Sequence, residues 1–214
     1  MIFVLPDVPF ISQLGRYPTG CESVSAVMVL SRLGIPIDPD TFISQYLPKG
    51  PAPAPDETGR MCGPDPWERF PGDPFSSDGW GCFAPALTKA VRTCLDAYGF
   101  SRYLVREAYG KTLPELISDY LSKNLPVIFW ATIGMAEPRK TLCWETETGR
   151  QIQWISPMHC TVLIGYQTDD AGEVTHYIFN DPTSGEKAFF PAADVQRAYE
   201  AQGEQSLVIE ARSK

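Results

Sequence analysis

Cys21 is the residue of this chain best placed to act as a nucleophile, because it falls near the start of a predicted helix. Thr19 and Glu22 have the spacing of a capping box, which predicts that the helix begins at Thr19. Cys21 would then occupy the first turn, where unpaired backbone N–H groups and the positive end of the helix dipole favour a thiolate. The thiolate is the nucleophilic form of cysteine, so the sequence predicts attack on a carbonyl carbon.

A cysteine nucleophile needs an imidazole to accept its proton and a third group to hold that imidazole. The chain contains only 2 histidines, His159 and His176, and each lies in one of two predicted strands joined by a turn around Asp170. In an antiparallel hairpin with that turn, His159 stands directly opposite Asp181 and shares its face. His176 points to the other face of the hairpin. The pattern therefore favours His159 as the base and Asp181 as its partner.

Some alternatives stay open at this stage. A slip of one residue in strand register would replace Asp181 by Asn180, whose amide could also orient an imidazole. The oxyanion of an acyl-transfer reaction also needs donors, and the candidates are the backbone N–H of Cys21 and the side-chain amide of Gln13. Gln13 could instead bond the backbone locally, and a lone cysteine is often a small buried side chain.

Cys21, His159 and Asp181 together predict a thiol hydrolase that cleaves a peptide or another amide bond through an acyl-enzyme. The same residues would serve acyl or amide transfer, since water and an amine attack the same thioester. A third alternative is a non-catalytic domain that binds a peptide or a cell-wall component. The predicted chemistry requires no metal and no organic cofactor, and no two cysteines form a C-x-x-C pair.

The pattern of helices and strands around these residues predicts an α+β chain, with helices first and mostly strands later. Helices are predicted over residues 19–33, 40–47, 85–98, 113–122 and 191–201, and strands over residues 125–131, 159–166, 174–181 and 205–211. Thr112 is a candidate cap for the fourth helix. We expect Trp80 to line a cleft and Cys160 to be buried on the face of its strand opposite to His159.

Residues 49–78 differ in composition from the rest of the chain. Prolines and glycines crowd this stretch, and neither helical nor strand periodicity survives in it. We interpret it as a long irregular insertion within a single domain that spans residues 1–214.

Composition and charge narrow the classes of protein further. A net charge of -8 and the lack of a basic patch argue against general nucleic-acid binding. No apolar stretch is long enough to cross a membrane, and the N-terminus lacks the basic start of a signal peptide. We therefore expect a cytoplasmic protein, or one whose leader has been removed; the oligomeric state is left open. A complete disulfide framework is not expected among the 6 cysteines, although one bridge such as Cys62–Cys82 stays open.

Several segments of the chain resemble a known family of enzymes. These segments are residues 8–13 (VPFISQ), 18–26 (PTGCESVSA), 80–81, 84–87, 125–128, 158–166 (MHCTVLIGY) and 179–182 (FNDP). They resemble the stand-alone bacterial relatives of the bacteriocin-leader-processing, double-glycine cysteine peptidases. The resemblance implies a papain-like fold, with an N-terminal helical lobe that carries the cysteine helix and a C-terminal lobe of antiparallel sheet. It also implies Cys21 as nucleophile, His159 as base and acid, Asp181 as orienting group and Gln13 in the oxyanion hole.

The chain departs from the usual pattern of that family in two places. Thr161 stands where a small apolar residue is common, and residues 49–78 could cover or reshape the substrate cleft. The chain carries no transporter segment, so a role in bacteriocin export is not implied.

Overall fold

An antiparallel sheet lies at the centre of the computed structural model, which describes residues 1–212. The strands are β1 (Ile2–Val4), β2 (Lys49–Gly50), β3 (Ala54–Pro55), β4 (Met61–Cys62), β5 (Phe70–Pro71), β6 (Tyr103–Glu107), β7 (Val127–Thr132), β8 (Arg139–Glu145), β9 (Gln151–Ser156), β10 (Met158–Thr168), β11 (Val174–Asp181), β12 (Gly185–Pro191) and β13 (Ser206–Ala211). The α-helices are α1 (Cys21–Arg32), α2 (Pro39–Gln45), α3 (Ala84–Ala97), α4 (Leu113–Asp119) and α5 (Ala192–Ala201). The central sheet has the strand order β12-β11-β10-β7-β13-β6, and β1 pairs with β10.

The middle strand β7 is buried along its whole length, because side chains of both its faces are covered. On one face, the ring of Phe129 stacks on Tyr199 of α5, with ring centroids 4.4 Å apart. On the other face, the indole nitrogen of Trp130 donates a hydrogen bond to the carbonyl oxygen of Cys82, at 2.9 Å. A strand that is buried on both faces needs a continuous apolar run, which is the pattern that this segment has in the sequence.

Helix α1 is buried on every side over its first ten residues, 21–30. It packs against β10 and β7 of the central sheet and also contacts α2 and α3. The hydroxyl of Ser25 donates a hydrogen bond to the carbonyl oxygen of Cys160 in β10, at 3.1 Å. The start of α1 is therefore held firmly against the strand that carries His159.

The predicted capping box at the start of α1 does not form. The helix begins at Cys21 with Gly20 as its cap residue, two residues later than predicted. The hydroxyl of Thr19 donates to the carbonyl oxygens of Asp73 and Ser76, at 3.3 and 2.9 Å, and the helix has no side-chain cap. These tertiary contacts orient Thr19 toward the loop before Trp80, and Thr19 lies one residue before the residue that caps the helix.

A capping box does form at the start of α4, between Thr112 and Glu115. The hydroxyl of Thr112 accepts from the backbone N–H of Glu115, and the carboxylate of Glu115 accepts from the backbone N–H of Thr112. The expectation that Thr112 caps this helix is therefore confirmed.

Residues 49–78 are less irregular than their composition predicts. Within them, β2 pairs with β5, and β3 pairs with β4. Strand β4 then joins β8 and β9, which lie much later in the chain, in a second small sheet. Each of the four strands in residues 49–78 has only two residues, so prolines and glycines dominate the segment without preventing these pairings.

The other predicted elements are present, with bounds that differ by a few residues. The strands not predicted from the sequence are β1, β6, β8, β9 and β12 and the four short strands of residues 49–78. Strand β1 belongs to the N-terminal part of the chain and yet pairs with β10, so the sheet that carries His159 is not built from C-terminal residues alone. Cys160 is fully buried, as expected.

The structure also bears on the disulfide and the membrane span that the sequence analysis considered. All six cysteines are free thiols, so the bridge between Cys62 and Cys82 that the sequence left open is not formed. Within residues 1–212, no helix is both long enough and apolar enough to span a bilayer.

Candidate active site

Cys21 lies at the first position of α1, with only 6% of its surface exposed. Its sulfur donates a hydrogen bond to the Oε2 atom of Glu22, at 3.3 Å. Burial raises the pKa of the Cys21 thiol well above its ordinary value, and the nearby carboxyl of Glu22 raises it further. This direction is opposite to the one expected from the helix start, because burial and the carboxyl of Glu22 both disfavour the thiolate.

His159 and Asp181 form a buried pair. The Nε2 atom of His159 lies 2.9 Å from the Oδ1 atom of Asp181, and the side chains are 1% and 0% exposed. The predicted partnership of these two residues is thus present in the structure. It rests on a strand register that differs from the predicted one.

The two residues are diagonal neighbours across β10 and β11 rather than directly opposed. Val162 pairs with Asn180, so Asp181 stands level with Thr161, two positions from His159. Because side chains alternate along a strand with a period of two, this offset keeps both residues on the same face. Diagonal neighbours of this kind remain within reach of each other.

The offset arises at the turn of the hairpin. The N–H of Asp169 donates to the carbonyl oxygen of Glu173, so the turn is centred on Ala171 and not on Asp170. Two bulges follow, one between Leu163 and Gly165 and one at the turn end of the hairpin, and they compensate each other. The prediction that His159 and Asp181 share one face of the hairpin is therefore correct, although the prediction that they stand directly opposite each other is wrong.

Asp181 is held as a carboxylate by its hydrogen bonds. Burial raises its pKa, but hydrogen bonds from His159, Thr183 and Ser184 lower it more strongly, so the pKa lies well below its usual range. The Oδ1 atom accepts from the backbone and hydroxyl of Thr183, at 2.8 and 2.7 Å, and from the backbone of Ser184, at 3.0 Å. An ionised carboxylate can only accept, so the Nε2 atom of His159 must carry a hydrogen. In the neutral ring, the Nδ1 atom is then free to act as a base.

Asn180, the alternative partner, has other contacts. Its amide nitrogen donates to the carbonyl oxygens of Val8 and Pro9, at 2.9 and 3.4 Å, and its oxygen accepts from the backbone N–H of Lys187, at 3.1 Å. Asn180 therefore ties the N-terminal segment to β11. The partner of His159 is Asp181.

Gln13 is buried, and it contacts both the residue that follows Asp181 and the segment that precedes Cys21. Its backbone N–H donates to the carbonyl oxygen of Pro182, and its side-chain nitrogen donates to the carbonyl oxygen of Pro18, at 3.2 Å. An amide nitrogen carries two hydrogens, so one of them remains available for a further acceptor. The Oε1 atom is buried without a hydrogen-bond partner among the described residues.

His176 lies away from these residues. It pairs with Gln167 near the far end of β10, roughly 26 Å from His159 along a strand that rises about 3.3 Å per residue. Its Nδ1 atom contacts the hydroxyl of Thr175, at 3.2 Å. Distance along the sheet therefore separates His176 from His159.

Sequence reasoning missed three residues of the site. Thr183 and Ser184 hold the carboxylate of Asp181, and the pattern Asp-Pro-Thr-Ser is typical of a turn in which an aspartate accepts from the residues that follow it, so a signal was present. Glu22 was interpreted as a capping residue, but its side chain is fully buried beside Cys21. Nothing in the local sequence separates these two roles.

A cleft of about 640 Å³ opens near Trp80 and Met158. It is lined by Ala52, Pro53, Ser77, Asp78, Gly79, Trp80, Ile133, Trp154, Ser156, Pro157 and Met158. Trp80 thus lines a cleft, as expected, and packs edge-on against Trp154, with ring centroids 5.6 Å apart. Met158 directly precedes His159 in β10, but Cys21, His159 and Asp181 are not among the residues that line the cleft.

These features define a class of fold. A buried helix that starts with a cysteine packs against an antiparallel sheet that carries a histidine and an aspartate, as in papain-like α+β proteins. The chain belongs to the Peptidase_C39 like family, since residues 5–207 match the sequence model of that family.

Two solved structures are similar to this chain. One is a candidate C39-like peptidase from Bacillus anthracis, with 24% sequence identity, a TM-score of 0.81 and coverage of 100% of both chains. The other is a double glycine motif protease from an AMS/PCAT transporter, solved in complex with the leader peptide, with 15% identity, a TM-score of 0.49 and coverage of 96% of this chain and 92% of that one. The first likeness shows a shared fold. No curated protein matches the chain significantly. Family and fold together support a function like that of the cysteine peptidases.

Proposed function

We propose that this protein is a cysteine-peptidase-like hydrolase that cleaves a peptide or another amide bond through Cys21, His159 and Asp181. The observation that carries the proposal is the buried hydrogen bond between His159 and the carboxylate of Asp181, in a chain of the Peptidase_C39 like family. This bond leaves the Nδ1 atom of the ring unprotonated, which is the form that a general base requires.

The reaction begins with proton transfer from the sulfur of Cys21 to the Nδ1 atom of His159. The sulfur attacks the carbonyl carbon of the substrate, and the carbonyl oxygen becomes an oxyanion. The backbone N–H of Cys21 and the free amide hydrogen of Gln13 donate to that oxygen. Asp181 stabilises the imidazolium that has formed, and the same carboxylate keeps the ring from rotating.

The tetrahedral intermediate then collapses to a thioester. The C–N bond breaks, and the Nδ1 proton of His159 goes to the leaving amine. A water molecule next loses a proton to His159 and attacks the thioester, after which the C–S bond breaks and the proton returns to Cys21. The products are an amine and a carboxylic acid, and no cofactor takes part.

The cleft lined by Trp80 is the proposed location of the substrate beside the reacting bond. Its walls combine the exposed apolar side chain of Ile133 with Trp80 and Met158, and with the polar residues Asp78 and Ser77. Such a surface suits an apolar side chain of a peptide.

Digestion of a peptide library by the wild type and by Cys21→Ala tests the proposal. We expect new peptide ends from the wild type alone, with a loss of at least about a thousandfold in the variant. Cys143→Ser is the matched control, since Cys143 is exposed and lies in β8. Adding an amine to the digestion distinguishes hydrolysis from acyl transfer, because transfer would yield a new amide instead of an acid.

Labelling with iodoacetamide gives a test that needs no substrate. Peptide mapping by mass spectrometry would follow each cysteine separately. Cys21 is expected to react faster than the exposed Cys143 although burial disfavours its thiolate, because His159 can accept the proton of Cys21. Equal or slower labelling of Cys21, together with no digestion of the library, would favour a non-catalytic binding domain.

A further inference from the structure

Glu22 is a fully buried carboxyl group with no cationic side chain paired to it among residues 1–212. Its Oε1 atom accepts from the backbone N–H of Cys82, at 2.6 Å, and its Oε2 atom accepts from the sulfur of Cys21, at 3.3 Å. Acidic residues are rarely buried without a partner, so this placement requires an explanation. The capping role that the sequence predicts does not supply one, because α1 has no side-chain cap.

The carboxyl of Glu22 is held in place from the side of Cys82 as well as by its own helix. Gly81 has a φ of +133°, and a side chain there would collide with the Oε1 atom of Glu22 and with the methyl group of Met158. A glycine is therefore required where the backbone passes over the carboxyl. The N–H of the next residue, Cys82, then points at Oε1.

Burial raises the pKa of Glu22 to about 7, against the opposing effect of hydrogen bonds from backbone N–H groups. The titratable groups that face it are Cys21 on its own helix, Cys82 before α3, and His159 and Cys160 on β10. Only His159 among these can be positively charged. Glu22 therefore exchanges its proton in the range of pH in which an enzyme of this kind would work.

Two negative charges cannot both persist at the Cys21–Glu22 contact. With the sulfur and Oε2 only 3.3 Å apart in a buried site, an ionised thiol and an ionised carboxyl repel each other strongly. When the carboxyl is ionised, the S–H group donates to it and the thiol stays protonated. When the carboxyl is protonated, its O–H group can donate to a thiolate.

We propose that Glu22 is a positioning residue for Cys21, and that its protonated carboxyl donates a hydrogen bond to the thiolate whereas its ionised carboxyl keeps the thiol protonated. The proposal rests on the proposed role of Cys21 as nucleophile. The proton that leaves the sulfur goes to His159, and Glu22 supplies a hydrogen bond without losing its own proton. The Cys21–Glu22 contact thus behaves as a pair that retains at least one proton.

The rate of alkylation of Cys21 by iodoacetamide tests this role without any substrate. Glu22→Gln is the informative variant, because an amide can accept from Cys82 and donate to the sulfur but cannot ionise. We expect similar rates for wild type and Glu22→Gln near pH 5, and a rate about tenfold higher in Glu22→Gln near pH 8. Glu22→Ala lacks the donor and is expected to react more slowly than Glu22→Gln at both values of pH.

The wild type alone gives a second measurement if Glu22→Gln does not fold. Its Cys21 alkylation rate should fall as the pH rises through about 7, where a simple thiol would react faster. A ratio between Glu22→Gln and wild type that does not change with pH, or a wild-type rate that rises steadily through neutral pH, would overturn the proposal. Equal rates for Cys21 and Cys143 in every variant would instead count against the nucleophile itself. That result is distinct from the first, because it contradicts the proposed function and not the pH dependence.

Discussion

The Nε2 atom of His159 lies 2.9 Å from Oδ1 of Asp181, although the two residues are offset by two positions across the hairpin of β10 and β11. The same oxygen atom also accepts three hydrogen bonds from Thr183 and Ser184. One carboxylate oxygen thus fixes both the imidazole and the chain that leaves β11. Substitutions of Asp181 and of its partners should therefore change both activity and stability.

Asp181→Asn should lower kcat of the proposed hydrolysis by about a hundredfold or more, because it removes the charge that stabilises the imidazolium. The amide oxygen can still accept from Thr183, so the local fold should persist. Activity on a cleaved library peptide, measured with circular dichroism as a check on folding, would test this. Asp170→Asn, in the exposed turn of the same hairpin, is the matched control and should keep wild-type kcat.

Asp181 should also make stability depend on acid pH. Its pKa is lowered in the folded protein, so its contribution is fully present above the unfolded value of about 3.9 and is lost as pH falls through the folded value. The difference in unfolding free energy between wild type and Asp181→Asn should therefore shrink as pH falls below about 4. Denaturant unfolding at several values of pH measures it, and a constant difference would contradict the assigned charge of Asp181.

Thr183→Val should weaken the support of Asp181 without altering the shape of the residue. The variant loses the hydroxyl donor at 2.7 Å but keeps the backbone donors of Thr183 and Ser184. We expect a loss of about 1–2 kcal/mol of stability and a fall of about tenfold in kcat with little change in KM. Thr183→Ser restores the hydroxyl and should recover most of both, which distinguishes the lost hydrogen bond from a change in packing.

Glu22 should make the protein less stable as the pH rises. Its folded pKa of about 7 lies above the unfolded value of about 4.3, so its stabilising contribution is present below the unfolded value and is lost as pH rises through the folded one. Relative to Glu22→Gln, the wild type should lose about 3 kcal/mol between about pH 4 and pH 8. Chemical denaturation across this range checks the effect, and parallel stability curves for the two proteins would exclude it.

Trp80→Ala should raise KM for peptides with an apolar side chain beside the cleaved bond, because it removes one wall of the cleft. An increase of about tenfold or more is expected, with a smaller effect on kcat. Trp80→Phe keeps an aromatic ring against Trp144 and Trp154 and serves as the control for packing. Equal effects on apolar and polar peptides would show that Trp80 supports the fold and does not contact the substrate.

The elements that could be predicted are those that depend on patterns between residues close in the sequence. The buried strand β7, the hairpin and the cap of α4 depend on neighbours in the sequence, and all three are present, although the register of the hairpin differs from the predicted one. Strand β9 was missed although Ile152 and Trp154 alternate with exposed glutamines, a pattern of period two that was visible in the sequence. The strands of two residues in 49–78 carry no such pattern, because two residues are too few to show alternation; β2 and β4 also pair with strands further along the chain, β5 and β8.

The sequence by itself determined the candidates Cys21, His159 and Asp181, because the chain offers few histidines and because the alternation of side chains along a strand survives an error of two residues in register. Only the tertiary structure decided what surrounds them. The predicted capping role of Glu22 depends on the local sequence, and it does not occur because the helix begins at Cys21 with Gly20 as its cap residue. Burial, which is a property of the whole fold, raises the pKa of Glu22 to about 7 and places this carboxyl beside Cys21 and not at a helix cap.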